Sequence, residues 1–198
     1  VPELPKRIMA HAESLPEATP VCPGALLHLG NRAAIDQALS RLARAGRLLR
    51  VCHGVYMRPV ETRFGSCPPN VGKAVDALAA LWGETIVPCG GAAANQLGLT
   101  TQNPVREVHL TSGRSRKLRF GGLTVELRHA PRWLLAAPRG KAGAVIRALA
   151  WLGPEEVEER LGAIMPTLTK SEMEELSAAR ALMPNWMAEP VSAKLSRA

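Results

Sequence analysis

Gln37, Arg41 and Arg44 are separated by four and then three residues, the spacing that returns side chains to one side of a helix. Glutamine and arginine are the residues that form paired hydrogen bonds with adenine and guanine edges in a DNA major groove. The chemistry they offer is recognition rather than bond making. Ala33 and Ser40 fall on the same side, and short side chains there let a helix lie deep in a groove. Arg32 stands at the start of this stretch, and Arg47, Arg50 and Arg58 follow it, with His53 between the last two. Long cationic side chains of this kind reach phosphates and set orientation, while base contacts set sequence preference. The expected DNA-contacting set is therefore Arg32, Ala33, Gln37, Ser40, Arg41, Arg44, Arg47, Arg50, His53 and Arg58. Arginine, glutamine and serine also face outward on ordinary surface helices, so the assignment leans on the order of elements around them.

The densest basic run is Arg114, Arg116, Lys117 and Arg119. It is expected to contact phosphate or an acidic partner, with a solvated surface run as the even alternative. Only Phe120 and Trp133 lie near it, too few rings for a single-strand stacking platform.

No set of residues calls for catalysis. Cys22, Cys52, Cys67 and Cys89 include no C-x-x-C pair, so a zinc site is not expected. They are expected to be reduced and mostly buried thiols. Gly90-Gly91 precedes small residues but lacks the Lys-Ser/Thr of a phosphate loop and the third glycine of a dinucleotide fingerprint. Close packing of a helix on a strand is the better expectation for it. Ser112 and Ser115 have His109 nearby but no orienting acid. His129 and Glu126 are expected to form a strand-end pair. Glu107 and Glu126 stand apart, and Glu155, Glu156, Glu158 and Glu159 suit a helix start. Neither catalytic residues, metal nor cofactor is expected, and the chain is not read as an enzyme.

Stepwise apolar spacing predicts the elements that carry these residues. A first helix is expected over 5–15, a short strand at Val21-Cys22, and a short helix over 24–29 closed by Gly30. Asn31 is placed to cap a helix running to Ala45, with Ile35, Ala38, Leu39, Leu42 and Ala45 as its buried stripe. Strands over 47–52 and 55–58 flank a turn at His53-Gly54. Helix, short helix, longer helix and tight hairpin is the order of a winged helix-turn-helix. The segment 61–70 contains Gly65-Ser66-Cys67-Pro68-Pro69-Asn70 and reads as a linker. Beyond it come a helix over 71–82, strands over 85–88 and 105–111, a helix over 92–97, and a hairpin over 117–128 turned by Gly121-Gly122. Helices are expected over 141–152, 154–164 and 170–182, with another near the end. The fold class expected is α+β: a winged helix-turn-helix at 1–60, a linker at 61–70, and a mixed α/β domain with a helical C-terminal part at 71–198.

The chain carries a net charge of +8 over 198 residues. Residues 1–60 hold +4, 61–147 hold +7 and 148–198 hold −3, so the basic surplus lies where polyanion contact is expected. No apolar run reaches the ~20 residues of a bilayer span. The opening Val1-Pro2-Glu3-Leu4-Pro5-Lys6 lacks the order of a secretory signal. A cytoplasmic location without membrane association is the expectation.

Several segments resemble one family. Asn31 to Leu42, the pattern Arg44-Ala45-Gly46-x-Leu48-x-Arg50-Val51, and Gly54-Val55-Tyr56-x-Arg58-Pro59 are similar to the N-terminal domain of AbiEi-like antitoxins of type IV toxin–antitoxin systems. Ala94 to Pro104, Val108-His109-Leu110-Thr111, and Val145-Ile146-Arg147-Ala148-Leu149-x-Trp151-Leu152-Gly153 resemble that group's second domain. The resemblance implies a transcriptional regulator that binds double-stranded operator DNA and represses its own operon. It further implies an antitoxin half acting against a nucleotidyltransferase-like toxin, although many relatives are orphan regulators. The alternative is a nucleic-acid-processing or RNA-modifying factor that uses the winged helix only for docking. A protein-contact role for that element is a further alternative.

Overall fold

Glu3–Ser14 forms the first helix, α1, with Ile8, Met9 and Ala12 turned inward. A 3-10 turn at Pro23–Leu26 follows, where the apolar expectation was a somewhat longer helix. The computed structural model describes residues 3–63, 65–102 and 106–196. Helix α2 spans Arg32–Arg44 and begins where an asparagine can close it: the Asn31 Oδ1 accepts the Ala34 N–H at 2.9 Å. That bond satisfies one of the donors a helix start leaves open, a contribution of about 1 kcal/mol. Ile35, Ala38, Leu39 and Leu42 are buried as their spacing requires. Ala45, expected in the same stripe, is exposed, because the helix has already ended there and Gly46 takes a left-handed conformation, φ 71°.

Strands β1 (Leu49–Cys52) and β2 (Val55–Met57) then pair antiparallel, Leu49 opposite Met57 and Arg50 opposite Tyr56. The turn between them uses Gly54 at φ 70°, a conformation that costs glycine little and other residues more. The register shifts between Arg50 and Cys52. The other edge of β2 is taken by Val21, whose N–H donates to the Tyr56 carbonyl at 2.7 Å and whose carbonyl accepts from Tyr56 at 3.0 Å. Ile8, Leu26, Ile35, Leu39, Leu48 and Tyr56 close into one core. Full burial of each large aliphatic side chain there is worth about 1.5–3 kcal/mol.

The segment 61–70, expected as a linker, contains paired strands. Strand β3 (Val60–Thr62) pairs with β4 (Gly65–Cys67). Asn70 caps helix α3 (Val71–Trp82), accepting from Lys73 N at 3.0 Å. Asn70 N in turn donates to the Glu17 carboxylate at 3.0 Å, and Lys73 Nζ reaches the same carboxylate at 3.2 Å. These bonds hold the Glu17 carboxyl below the usual glutamate range, the Asn70 bond foremost and Lys73 next.

Two compact units emerge. One comprises Val1–Glu84 with Lys117–Val125, the other Thr85–Arg116 with Glu126–Ala198. This division differs from the one expected at 61–70, because α3 groups with the first unit. The architecture is mixed α+β. Strand β5 (Ile86–Pro88) pairs antiparallel with β6 (Glu107–Thr111). With β7 (Arg116–Phe120) and β8 (Leu123–His129) they make a sheet of order β5-β6-β8-β7.

In the second unit, helix α4 (Gly90–Gln96) packs on α5 (Lys141–Leu152) through Ala93, Ala94, Ala144 and Ala148. The Gly90-Gly91 pair therefore serves helix–helix packing rather than helix–strand packing. A Cβ at Gly90 would lie 2.5 Å from both the Arg147 carbonyl and the Trp151 Cβ. Helices α6 (Val157–Ile164), α7 (Lys170–Ala179) and α8 (Asn185–Leu195) complete a helical core around Ile146, Leu149, Leu161, Leu176 and Met187. Pro154, expected to open the sixth helix, lies in a turn, and the helix begins at Val157. Thr169 and Glu172 form a reciprocal capping box at the start of α7. No helix among the described residues is long and apolar enough to cross a membrane.

Candidate nucleic-acid interface

With the Ile35–Leu39–Leu42 side of α2 held in the core, the opposite side is left to solvent. Ala33, Gln37, Arg41 and Arg44 are exposed, and Ser40 is half-buried. Arg41 and Arg44 occupy the last turn, where a cation also suits the partial negative charge of a helix end. Arg32 is exposed too, but its Nε donates to Asp36 Oδ2 at 3.0 Å. Asp36 is the one acid on α2, and it holds the cation nearest the helix start.

Beyond Gly46 the chain leaves Arg47 exposed and returns to the core at Leu48. Arg50 is exposed on β1, between the half-buried Leu49 and the buried Val51. His53 is exposed at the turn, and Arg58 is half-buried just past β2. The expected contact residues thus lie on two successive elements of one compact unit, the outer side of α2 and the hairpin after it. Strand β2 is buried throughout, which fixes the hairpin's base and leaves its turn outward.

The second basic run is divided between a loop and a strand. Arg114 is exposed in the loop after β6, and Arg116 Nη1 donates to its carbonyl at 2.9 Å. Lys117 and Arg119 are exposed on β7, alternating with the fully buried Leu118 and Phe120. The boundary between the compact units falls between Arg116 and Lys117.

Other side chains considered for chemistry are occupied by backbone. Ser112 Oγ accepts from Thr85 N, and Ser115 Oγ accepts from His129 N, each at 2.9 Å. The His129 Nδ1 lies 2.9 Å from the Gly113 carbonyl. That oxygen only accepts, so Nδ1 carries the proton. His129 therefore does not form the pair expected with Glu126. The Glu126 carboxylate instead takes Arg128 at 2.9 Å and approaches Arg106 at 4.0 Å, while the His129 ring is held at the Gly113 carbonyl. Among the described residues no three His, Cys, Asp or Glu side chains converge as a metal site. The four cysteines are half-buried rather than mostly buried, and burial pushes the Cys22 thiol up.

One residue with chemical potential escapes pattern reading. Arg147 is 3% exposed on α5, among apolar neighbours from Ala142 to Leu149. The signal available in sequence is a lone arginine inside an otherwise apolar helical run.

A family profile described as a family of unknown function, DUF6088, matches residues 7–176. No curated protein and no solved structure matches the chain.

Proposed function

The chain belongs to the DUF6088 family, whose description assigns no activity, and from its own surfaces we propose that it is a sequence-specific DNA-binding transcriptional repressor. In this reading residues 1–60 act as a winged helix-turn-helix. Helix α2 enters the major groove, and the β1–β2 hairpin, steadied by the Val21–Tyr56 pairing, is the wing. The observation that carries the reading is the solvent face of α2: Ala33, Gln37, Ser40, Arg41 and Arg44 on a capped helix whose reverse side is fully packed. A reading helix needs that rigidity, because base contacts discriminate only when the side chains start from fixed positions. Arg47, Arg50 and Arg58 contact phosphates, and His53 lies at the wing tip.

The resemblance to AbiEi-like antitoxins supports a wider role. On that reading the repressor is the autoregulating antitoxin of a type IV toxin–antitoxin operon, opposing a nucleotidyltransferase-like toxin. The residues outside the DNA-binding element then carry neutralisation, and Arg114, Arg116, Lys117 and Arg119 supply partner or phosphate contacts.

The test is footprinting of the full chain on DNA upstream of its own gene, beside a Gln37→Ala/Arg44→Ala variant. Both side chains are exposed, so the variant is expected to fold and lose preference for the protected sequence. Each base contact removed is worth ~1–3 kcal/mol of discrimination. An unchanged footprint in the variant would refute the assignment of this face.

A further inference from the structure

Among the described residues Arg147 is the only charged one buried in the core, and its Nε and Nη1 are buried with no hydrogen-bond partner there. A lone buried cation is costly unless something supplies the opposite charge. Burial lowers its pKa to about 10, which leaves the guanidinium charged at neutral pH. Arg147 lines a cavity of about 400 Å³ within the second unit, with Trp151, Leu110, Leu134 and Gln102 among the other walls. Among the described residues no aspartate or glutamate lines that cavity. Arg128 also borders it, but its Nη2 is already engaged by Glu126 at 2.9 Å. The cavity is therefore mainly apolar in its walls, with one unneutralised cation. Its size falls within the range of small-molecule sites.

Trp151 lies one helical turn beyond Arg147 on α5 and is 47% exposed. Gly90 and Gly91 accommodate it closely: a Cβ at Gly91 would lie 3.4 Å from the indole Nε1. An indole and a guanidinium one helical turn apart, both lining one cavity, suit a ligand with a flat apolar body and an acidic end.

We propose that this cavity is a binding site for a small organic anion, a carboxylate or phosphate ester on an aromatic or apolar body. Arg147 pairs with the acid group through its fork of N–H donors, and Trp151 covers the body. The site is independent of the DNA-binding reading, since all its residues belong to the second unit.

The full chain is titrated by calorimetry with phenyl phosphate, benzoate, benzyl alcohol and inorganic phosphate. Saturable binding of phenyl phosphate or benzoate is expected, with benzyl alcohol much weaker; the stronger of the two acids identifies the acid group. Arg147→Met is expected to weaken the acid by at least about tenfold while leaving benzyl alcohol unchanged. It is also expected to fold at least as well, because it removes a lone buried charge. Arg147→Lys retains part of the affinity, and Trp151→Ala weakens phenyl phosphate more than inorganic phosphate. These two variants carry the test if the methionine variant does not fold. Equal acid affinity in wild type and the Arg147 variants overturns the proposal, as does wild-type protein that binds neither acid up to ~10 mM.

Discussion

Asp36 takes the Arg32 guanidinium at 3.0 Å, with both side chains at least half exposed. Exposed pairs of this kind contribute about 0.3–0.5 kcal/mol to a helix, so the pair matters more for charge than for stability. Asp36→Asn removes an anion beside the proposed reading face and releases Arg32 toward a phosphate. Affinity for all DNA sequences alike should rise, and the dependence on salt should steepen by about one phosphate contact. Gel-shift titration at several salt concentrations measures both; unchanged affinity would place Arg32 and Asp36 away from the duplex. Glu17 tests a different kind of contact. Its pKa is depressed in the fold by the Asn70 N–H first and by Lys73 next. A depressed carboxylate stabilises the fold above its ordinary range, and the contribution disappears as pH falls through the folded value. Glu17→Gln should therefore lower the melting temperature at pH 7, with the gap to wild type closing as the solution becomes more acidic than the ordinary glutamate range. A gap that persists there would mean that the Glu17 charge is not what holds the start of α3.

The elements were largely readable from local pattern. Asn31 before an apolar stripe, Gly46 after it, and His53-Gly54 between two short strands each state where the chain changes course. Asn31→Ala isolates one such signal. It should cost about 1 kcal/mol in urea unfolding, with an unchanged slope because the surface exposed on unfolding is the same. No measurable loss would show that the cap bond to Ala34 is replaced by water at no cost. Where the pattern misled, a competing contact explains it. Pro154 has the features of a helix start, yet the regular turn begins at Val157, whose side chain is fully buried in the helical core. Residues 61–70 hold glycine, serine and proline and read as loop. Even so, Glu61 and Ser66 pair across β3 and β4, because two short extended pieces meeting at a turn can satisfy each other's backbone.

For the whole molecule, the question is whether the proposed operator binding and the proposed toxin neutralisation separate. The first compact unit includes α3 and the stretch 117–125, so cutting the chain near residue 70 would divide a packed body. The informative experiment keeps the full chain. On the proposed antitoxin reading, and with a nucleotidyltransferase-like protein encoded beside the gene as the candidate toxin, the co-expressed Gln37→Ala/Arg44→Ala variant should rescue growth as well as wild type while failing to repress a promoter fusion. Loss of rescue in that variant would tie neutralisation to DNA binding, and absence of rescue by wild type would leave a repressor alone.

By itself the sequence determined the periodic features: the buried stripe of α2, its cap, the hairpin turn and the outward set Gln37, Arg41 and Arg44. These depend on residues within a few positions of one another, where helix and strand geometry dictate direction. Tertiary structure alone decided which distant segments share a body. It grouped residues 117–125 with the first unit, brought the glycines at 90 and 91 against Trp151, and turned Arg147 into the wall of a cavity. Those outcomes depend on long-range packing, in which shape and volume at one segment are matched by residues far away in the chain, and no local spacing records that match.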